Sequence, residues 1–171
     1  MAGALPMVEA CIPALRRYAS ALLRSQQDAD DLVHDTLLRA LDKLHSHRGR
    51  DDIRPWLFAI MHNLFVSQVR RARIRMAGEA KSEGVREAAS PSSQEDSLRW
   101  QDALCALDAL PEEQRAVILL ISVEDLSYAE VSGVLGIPIG TVMSRLARGR
   151  ERLRHLMQGQ EGTRPCLRRV K

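Results

Sequence analysis

Aromatic residues and long apolar runs are scarce in this sequence. Aromatics make up 4% of its 171 residues, so a core has to be built from Leu, Ile, Val and Ala, and that palette favours helices over strands. The longest apolar run, Ala116 to Val123, is too short to cross a bilayer. The N-terminal segment carries Glu9 and Pro13 and lacks the apolar stretch of a signal peptide. We therefore expect a cytoplasmic protein without membrane insertion.

Cysteine is also rare, and its spacing argues against two common kinds of site. Cys11, Cys105 and Cys166 are odd in number and far apart, so neither a disulfide framework nor a zinc site is indicated. No glycine-rich phosphate loop can be recognised, and no nucleophile is paired with a base. His45 and His47 could bind a metal weakly, but a solvated loop explains them better. The sequence predicts no metal, no cofactor and no enzymatic activity.

Positive charge is carried almost entirely by arginine. The formal net charge is +3, and the only lysines are Lys43, Lys81 and Lys171. Arginine binds phosphate and guanine through two parallel hydrogen bonds, which favours nucleic acid as a partner. A GC-rich genome also enriches arginine, and this explains most of the bias. The distribution of charge is therefore more informative than its sum.

Hydrophobic periodicity predicts an all-α protein of two small helical domains joined by a flexible linker. Residues 1–77 form the first domain, residues 98–157 form a second domain of four helices, and residues 158–171 are a basic tail. The segment 78–97 is rich in Ala, Ser, Glu and Gly, which is typical of a linker. The predicted helices are Val8–Leu23, Asp28–Leu44 with Asp28 as its N-cap, Asp52–Met76, Leu98–Ala109, Glu112–Glu124, Ser127–Leu135 and Ile139–Met157.

The strongest motif is a helix-turn-helix between Ser127 and Arg154. Ser127 and Glu130 have the spacing of a capping box, which begins a helix. Gly136 can take the left-handed conformation that ends this helix, and Pro138 prevents it from continuing. The apolar positions are Ala129, Val131, Val134 and Leu135 in the first helix, and Val142, Leu146, Gly149, Leu153 and Leu156 in the second. A tight turn between two short helices presents the second one to a major groove.

The face of the second helix opposite its apolar stripe is the predicted DNA-binding surface. At about 100° per residue, this face carries Gly140, Met143, Ser144, Ala147 and Arg148. Ser144 and Arg148 could bind base edges, and Met143 and Ala147 could contact thymine methyl groups. The flanking residues that would bind phosphates are Arg145, Arg150, Arg152 and Arg154. A solvated basic helix with acidic neighbours is the alternative, and the complete two-helix pattern favours DNA binding.

The first domain carries two further signals. Its third helix ends in VRRARIR at residues 69–75 and contains Trp56, Asn63 and Ser67, a combination that suits melted nucleic acid. For its aromatic residues, burial in the core is the favoured alternative. The second helix is predicted to bury Val33, Leu37, Ala40, Leu41 and Leu44 and to expose Asp31, Asp35, Leu38 and Asp42. That exposed face is typical of a docking surface for a basic protein, although a solvated acidic face with one stray leucine fits nearly as well.

Three segments, in this order along the chain, resemble the extracytoplasmic-function (ECF) group of bacterial RNA polymerase sigma factors. They are DADDLVHDTLLRAL at residues 28–41, ALPEEQRAVILL at 109–120 and GTVMSRLARGRERLR at 140–154. The resemblance covers nearly the whole chain apart from the linker and the tail. It implies an alternative sigma factor that directs core RNA polymerase to specific promoters in a stress or environmental response. It also implies control by an anti-sigma factor, which could hold the protein at the membrane, and association with the nucleoid when active.

The resemblance assigns a role to each predicted surface. Docking on the clamp helices of the largest polymerase subunit falls to Asp31, His34, Asp35, Leu38 and Asp42. Recognition and melting of the −10 element fall to Trp56, Asn63, Ser67, Arg70 and Arg71, with the loop 45–51 holding an unpaired base. The −35 element is bound by Gly140, Thr141, Met143, Ser144, Arg145, Ala147, Arg148 and Arg152. The polymerase flap region is a further contact, and the linker runs towards the active-site channel.

Two other functions stay open from the residues alone. A helix-turn-helix regulator that binds duplex DNA as a dimer would leave the acidic face and the basic third helix without a role, and no strong dimerisation heptad is visible. A metal-dependent nuclease could be imagined from Asp28, Asp30, Asp31, His34 and Asp35, but their spacing does not bring all of them to one face. Several relatives carry a basic or amide residue where Met143 stands and a second amide where Ser67 stands, and the loop 45–51 is short. The resemblance therefore does not define the promoter sequence.

Overall fold

A computed structural model describes residues 4–23, 25–44, 52–76 and 105–160, and these contain helices and no strand. The helices are α1 (Ala4–Leu22), α2 (Gln26–Lys43), α3 (Ile53–Met76), α4 (Glu112–Ser122), α5 (Tyr128–Leu135) and α6 (Ile139–Gln160). Residues 105–108 are helical as well. The all-α prediction is therefore confirmed. The loop 45–51, the predicted linker 78–97 and nearly all of the predicted tail lie outside the described residues.

The start of α2 differs from its prediction. Ser25 rather than Asp28 is the N-cap, because the Ser25 hydroxyl accepts a hydrogen bond from the Asp28 backbone N–H at 3.2 Å. Asp28 lies in the first helical turn, where a carboxylate stabilises the positive end of the helix dipole. At the start of α3, Asp52 accepts from the Arg54 backbone N–H at 3.0 Å, and Pro55 occupies the first turn as predicted.

Helices α1, α2 and α3 pack together as the first helical unit. Tyr18 and Phe58 meet edge to face at its centre, with ring centroids 5.3 Å apart. The buried stripe of α2 consists of Ala29, Leu32, Val33, Thr36 and Ala40. The prediction that Leu41 belongs to this stripe is wrong, since its side chain is 46% exposed. Thr36 takes an interior position because its hydroxyl donates to the Leu32 carbonyl at 2.7 Å, which satisfies the buried donor.

Residues 105–160 form the second helical unit, in which α4 packs against α5 and α6. Val117 and Leu120 of α4, Val131 of α5 and Val142 of α6 are fully buried in it. Ala129, predicted as an apolar packing position of α5, is exposed instead. With only eight residues, α5 buries a narrow stripe centred on Val131 and Val134.

The two units pack against each other, α3 against α5 and α1 against α4. Their buried residues form one continuous hydrophobic cluster that runs from Val8 to Leu146. The packing also brings Arg145 of α6 within electrostatic reach of His62 of α3. Within the described ranges, no helix is long and apolar enough to span a membrane.

Candidate nucleic-acid interface

The turn before α6 is held by local hydrogen bonds. The Ser127 hydroxyl accepts from the Glu130 backbone N–H at 3.3 Å, and the Glu130 carboxylate accepts from the Ser127 N–H at 2.7 Å. Gly136 ends α5 in the left-handed conformation, at φ 63°. The Ser132 hydroxyl donates to the Ile137 carbonyl at 2.6 Å and closes the turn, a contact that the sequence analysis missed. The predicted capping box and glycine terminus are confirmed.

One apolar stripe fixes the orientation of α6. Val142, Leu146 and Gly149 are buried, and Leu153 and Leu156 pack partly buried against the same cluster. Gly149 lets α6 approach α4 closely, because a Cβ atom at this position would lie 2.8 Å from Ile118 Cδ1. The predicted stripe is confirmed, and it determines which side of α6 faces solvent.

The predicted base-contacting side of α6 is open to solvent. Gly140, Met143, Ser144, Ala147 and Arg148 are all exposed, as is Arg152 on the flank. Thr141 is half-buried. At helical spacing, Glu151 falls on the same side, one turn after Ala147 and Arg148, and it is exposed as well. The sequence analysis missed Glu151, whose carboxylate repels phosphate.

Arg145 differs from the other flanking arginines. Its guanidinium lies 2.6 Å from the carboxylate of Glu113 on α4, and its side chain is only 26% exposed. A phosphate contact by Arg145 would compete with this ion pair.

The two serines predicted to contact DNA are bonded in the same way. The Ser144 hydroxyl donates to the Thr141 carbonyl at 3.1 Å, and the Ser67 hydroxyl donates to the Asn63 carbonyl at 2.7 Å. Each donor is thus used within its own helix, which leaves the exposed hydroxyl oxygen able to accept a hydrogen bond. A serine in this state acts as an acceptor, and the base groups that can donate to it in the major groove are the amino groups of adenine and cytosine.

The solvent side of α3 carries the residues predicted for the −10 element. Trp56, Asn63, Ser67 and Arg70 fall on one face at helical spacing, while Arg71 lies at its margin. Trp56 is half-buried and the other four are exposed. Phe58 and Phe65 are buried in the core, as the alternative interpretation of the aromatics required.

His62, on α3, lies between the two units. The Tyr18 hydroxyl is 3.3 Å from its Nδ1 atom, and its ring is tilted against Phe65. Burial, together with the positive charge of Arg145, lowers the pKa of His62 to about 4. The histidine is therefore neutral at physiological pH. Nothing in its sequence neighbourhood signals this contact with the second unit.

The acidic side of α2 is exposed as predicted. Asp31, His34, Asp35 and Asp42 are exposed, and Leu38 keeps 51% of its surface in solvent between them. Across the described part of the chain, no group of three His, Cys, Asp or Glu side chains is arranged to hold a metal ion.

An ion-pair cluster, formed by the buried Glu124 with Arg17 and Arg54, joins the two units. Arg17 donates to both carboxylate oxygens of Glu124, through Nε at 3.2 Å and Nη2 at 3.0 Å. Arg54 Nη2 donates to the Glu124 backbone carbonyl at 3.1 Å and to its Oε2 at 3.4 Å. The Glu124 side chain is 0% exposed. The sequence analysis missed this Glu124 cluster, because its members are 70 and 107 residues apart.

Comparison with known proteins places both units in one group. The family model for sigma-70 region 4 matches residues 100–153, and that for the sigma2 domain of PhyR matches residues 8–62. The ECF RNA polymerase sigma factor EcfG of Rhodopseudomonas palustris is 35% identical over 148 residues, covering 86% of this chain and 81% of the relative. The ECF sigma factor SigM of Mycobacterium tuberculosis is 35% identical over 144 residues, 84% of this chain and 71% of the relative.

A solved structure gives the same result. The sigma factor RpoE, crystallised in complex with the anti-sigma factor NepR from Bartonella quintana, is 36% identical and superposes with a TM-score of 0.77. The match covers 88% of this chain and 94% of that one.

Proposed function

The chain belongs to the ECF group of RNA polymerase sigma factors, and from this membership we propose how it directs core RNA polymerase to specific promoters. The observation that carries the proposal is the α6 surface, which is oriented by a capped turn and a buried stripe and is open to solvent. A helix presented in this way fits the major groove of duplex DNA. We propose that this surface binds the −35 element.

The proposed −35 contacts are of two kinds, contacts with base edges inside the major groove and contacts with phosphates at its rim. We propose that the exposed residues Met143, Ser144, Ala147 and Arg148 contact base edges and that Arg152 contacts phosphates. Gly140 and Thr141 lie in the first turn of α6, where the positive end of the helix dipole favours a phosphate. Arg145 takes part only by exchanging Glu113 for a phosphate.

The first unit has two roles in this proposal. The α3 side formed by Trp56, Asn63, Ser67, Arg70 and Arg71 binds the −10 element. One observation supports this assignment: an aromatic ring, an amide and two arginines lie on or beside one face of α3, which suits unpaired bases and their backbone. The α2 side formed by Asp31, His34, Asp35, Leu38 and Asp42 docks on the clamp helices of the largest polymerase subunit, because an exposed leucine among carboxylates fits a basic partner.

We infer the remaining assignments from family membership, which supports them. Residues 1–77 serve as the polymerase- and −10-binding domain, and residues 98–157 as the −35-binding domain, which also contacts the polymerase flap. An anti-sigma factor controls the protein, as the complex of the Bartonella quintana relative suggests. The protein acts in the cytoplasm at the nucleoid, is not an enzyme, and is available for capture at the membrane by such a factor.

Two arginines of α6 test the −35 assignment. Arg148 lies on the base-contacting side, and a bidentate bond to guanine is worth about 1–3 kcal/mol against a wrong base. Arg154 lies nearly two turns later, beyond Glu151, where only phosphate is within reach. Arg148→Ala should therefore relax preference at one or two −35 positions, while Arg154→Ala, the matched control, weakens all promoters alike and lowers the salt slope by about one.

The measurement is transcription by core polymerase over a set of single-base −35 variants, together with salt titrations of binding. A uniform loss of activity for both variants would show that Arg148 contacts phosphate and that the base-contacting side of α6 is wrongly assigned.

A further inference from the structure

In the Glu124 cluster, the carboxylate from the second unit is removed from solvent, whereas the two arginines from the first unit stay partly solvated. Glu124 has no exposed side-chain surface, whereas the side chains of Arg17 and Arg54 are 55% and 38% exposed. Burial raises the pKa of the Glu124 carboxyl, and the hydrogen bond and charge of Arg17, followed by the charge of Arg54, act against that rise. The second unit therefore supplies a buried charge, and the first unit supplies the groups that compensate it.

The loop that carries Glu124 is shaped for this contact. The Glu124 and Leu126 backbone N–H groups donate to the Leu119 and Leu120 carbonyls, which folds the end of α4 tightly. Asp125 follows with φ at 54°, a left-handed conformation that aspartate tolerates better than most residues. Glu124 is thus held by its backbone at the interface, and Arg54 binds both its carbonyl and its carboxylate.

In the packed arrangement, α3 and α6 lie too close together to bind the −10 and −35 elements of one promoter at the same time. Helix α3 packs on α5, and α5 packs on α6, so at most two helix separations of about 8–10 Å each lie between α3 and α6. The −10 and −35 elements are centred about 25 base pairs apart, which is about 85 Å at 3.4 Å per pair. In the packed arrangement the chain can bind only one of the two elements.

We propose that the Glu124 cluster is a polar lock that keeps the two units packed in the free protein, and that separating Arg17 and Arg54 from Glu124 opens the chain for promoter binding. The lock is conditional because the closed state tolerates the buried carboxylate only while the arginines compensate it. Its role in promoter binding rests on the proposed sigma function, whereas the lock itself does not.

The test is a distance measurement on the full chain without polymerase or DNA. Spin labels are placed on exposed positions of the two units, at Gln27→Cys and His155→Cys, in a background with Cys11, Cys105 and Cys166 replaced by Ala. The background protein should give one short, narrow distance distribution. Arg17→Gln with Arg54→Gln leaves the carboxylate uncompensated, and the mean distance should lengthen by more than a helix width, about 10 Å.

A third substitution and a control complete the design. Adding Glu124→Gln to the two arginine variants removes the buried charge, and the short distance should return. Arg73→Gln removes an exposed ion pair to Glu112 across the same interface, and because exposed pairs contribute little, the distance should not change.

The measurements distinguish failure of the lock from failure of its role in promoter binding. If the double arginine variant stays closed, or if Glu124→Gln does not restore the short distance, the lock is refuted. Loss of helicity in the double variant that Glu124→Gln does not recover refutes it too. If the variants behave as expected but core polymerase fails to lengthen the distance in the labelled background protein, the lock stands and its role in promoter binding is wrong.

Discussion

Replacing Gly149 by alanine tests how closely α6 has to approach α4. In open helix, Gly→Ala stabilises by about 1 kcal/mol, since alanine has the higher helix propensity. At residue 149, however, the new Cβ would lie 2.8 Å from Ile118 Cδ1 and 3.3 Å from Gln114 Cβ. The end of the buried Ile118 side chain must shift, and Gln114 Cβ must give way by a few tenths of an ångström. Overpacking of this kind costs about 1–3 kcal/mol.

Gly133 is the matched control, because it lies within α5 and a Cβ added there would meet no atom within 4 Å. Gly133→Ala should raise the free energy of unfolding by about 1 kcal/mol, while Gly149→Ala should leave it unchanged or lower it by up to about 2 kcal/mol. Urea denaturation followed by helical circular dichroism measures both. Equal stabilisation by the two substitutions would mean that a methyl group fits between α6 and α4, and that Gly149 is not required for their close approach.

Two further predictions concern the first unit. His62 binds fewer protons when folded than when unfolded, so its contribution to stability is complete above pH 6.5 and is lost as pH falls towards 4; it amounts to at most about 3 kcal/mol. His62→Gln should flatten the stability–pH curve between these values, and parallel curves for the two proteins would contradict the neutral histidine. Asp35→Arg with Leu38→Ala should leave helicity and melting nearly unchanged, because both positions are exposed, but should sharply weaken binding to core polymerase. The control is Glu9→Arg, an exposed charge reversal on α1, and equal affinity of both variants for polymerase would show that α2 is not the docking helix.

Local signals in the sequence predicted most of the second unit. The capping box at Ser127, the left-handed Gly136 and the α6 stripe each depend on residues within a few turns, and the structure has them where the pattern placed them. The opposite faces of α2 and α6 followed from the same periodicity, so most candidate site residues lie in solvent as expected.

The errors arose where several residues could satisfy one local rule. Ser25 and Asp28 are both good N-caps, and the choice between them depends on how α2 meets α1. Leu41 is as apolar as Leu37, and only packing against α1 and α3 decides which of them turns inwards. The burial of Glu124 and the position of His62 depend on contacts between the two units, which no periodicity in the chain encodes.

The Glu124 cluster also has a consequence for biosynthesis. Arg17 and Arg54 leave the ribosome 107 and 70 residues before Glu124, and N-terminal units generally fold first during translation. A first unit that folds early presents two solvated guanidinium groups, which cost little in water. The late carboxylate then enters a site already lined with its counter-charges, so no stage of synthesis requires an isolated charge to be buried.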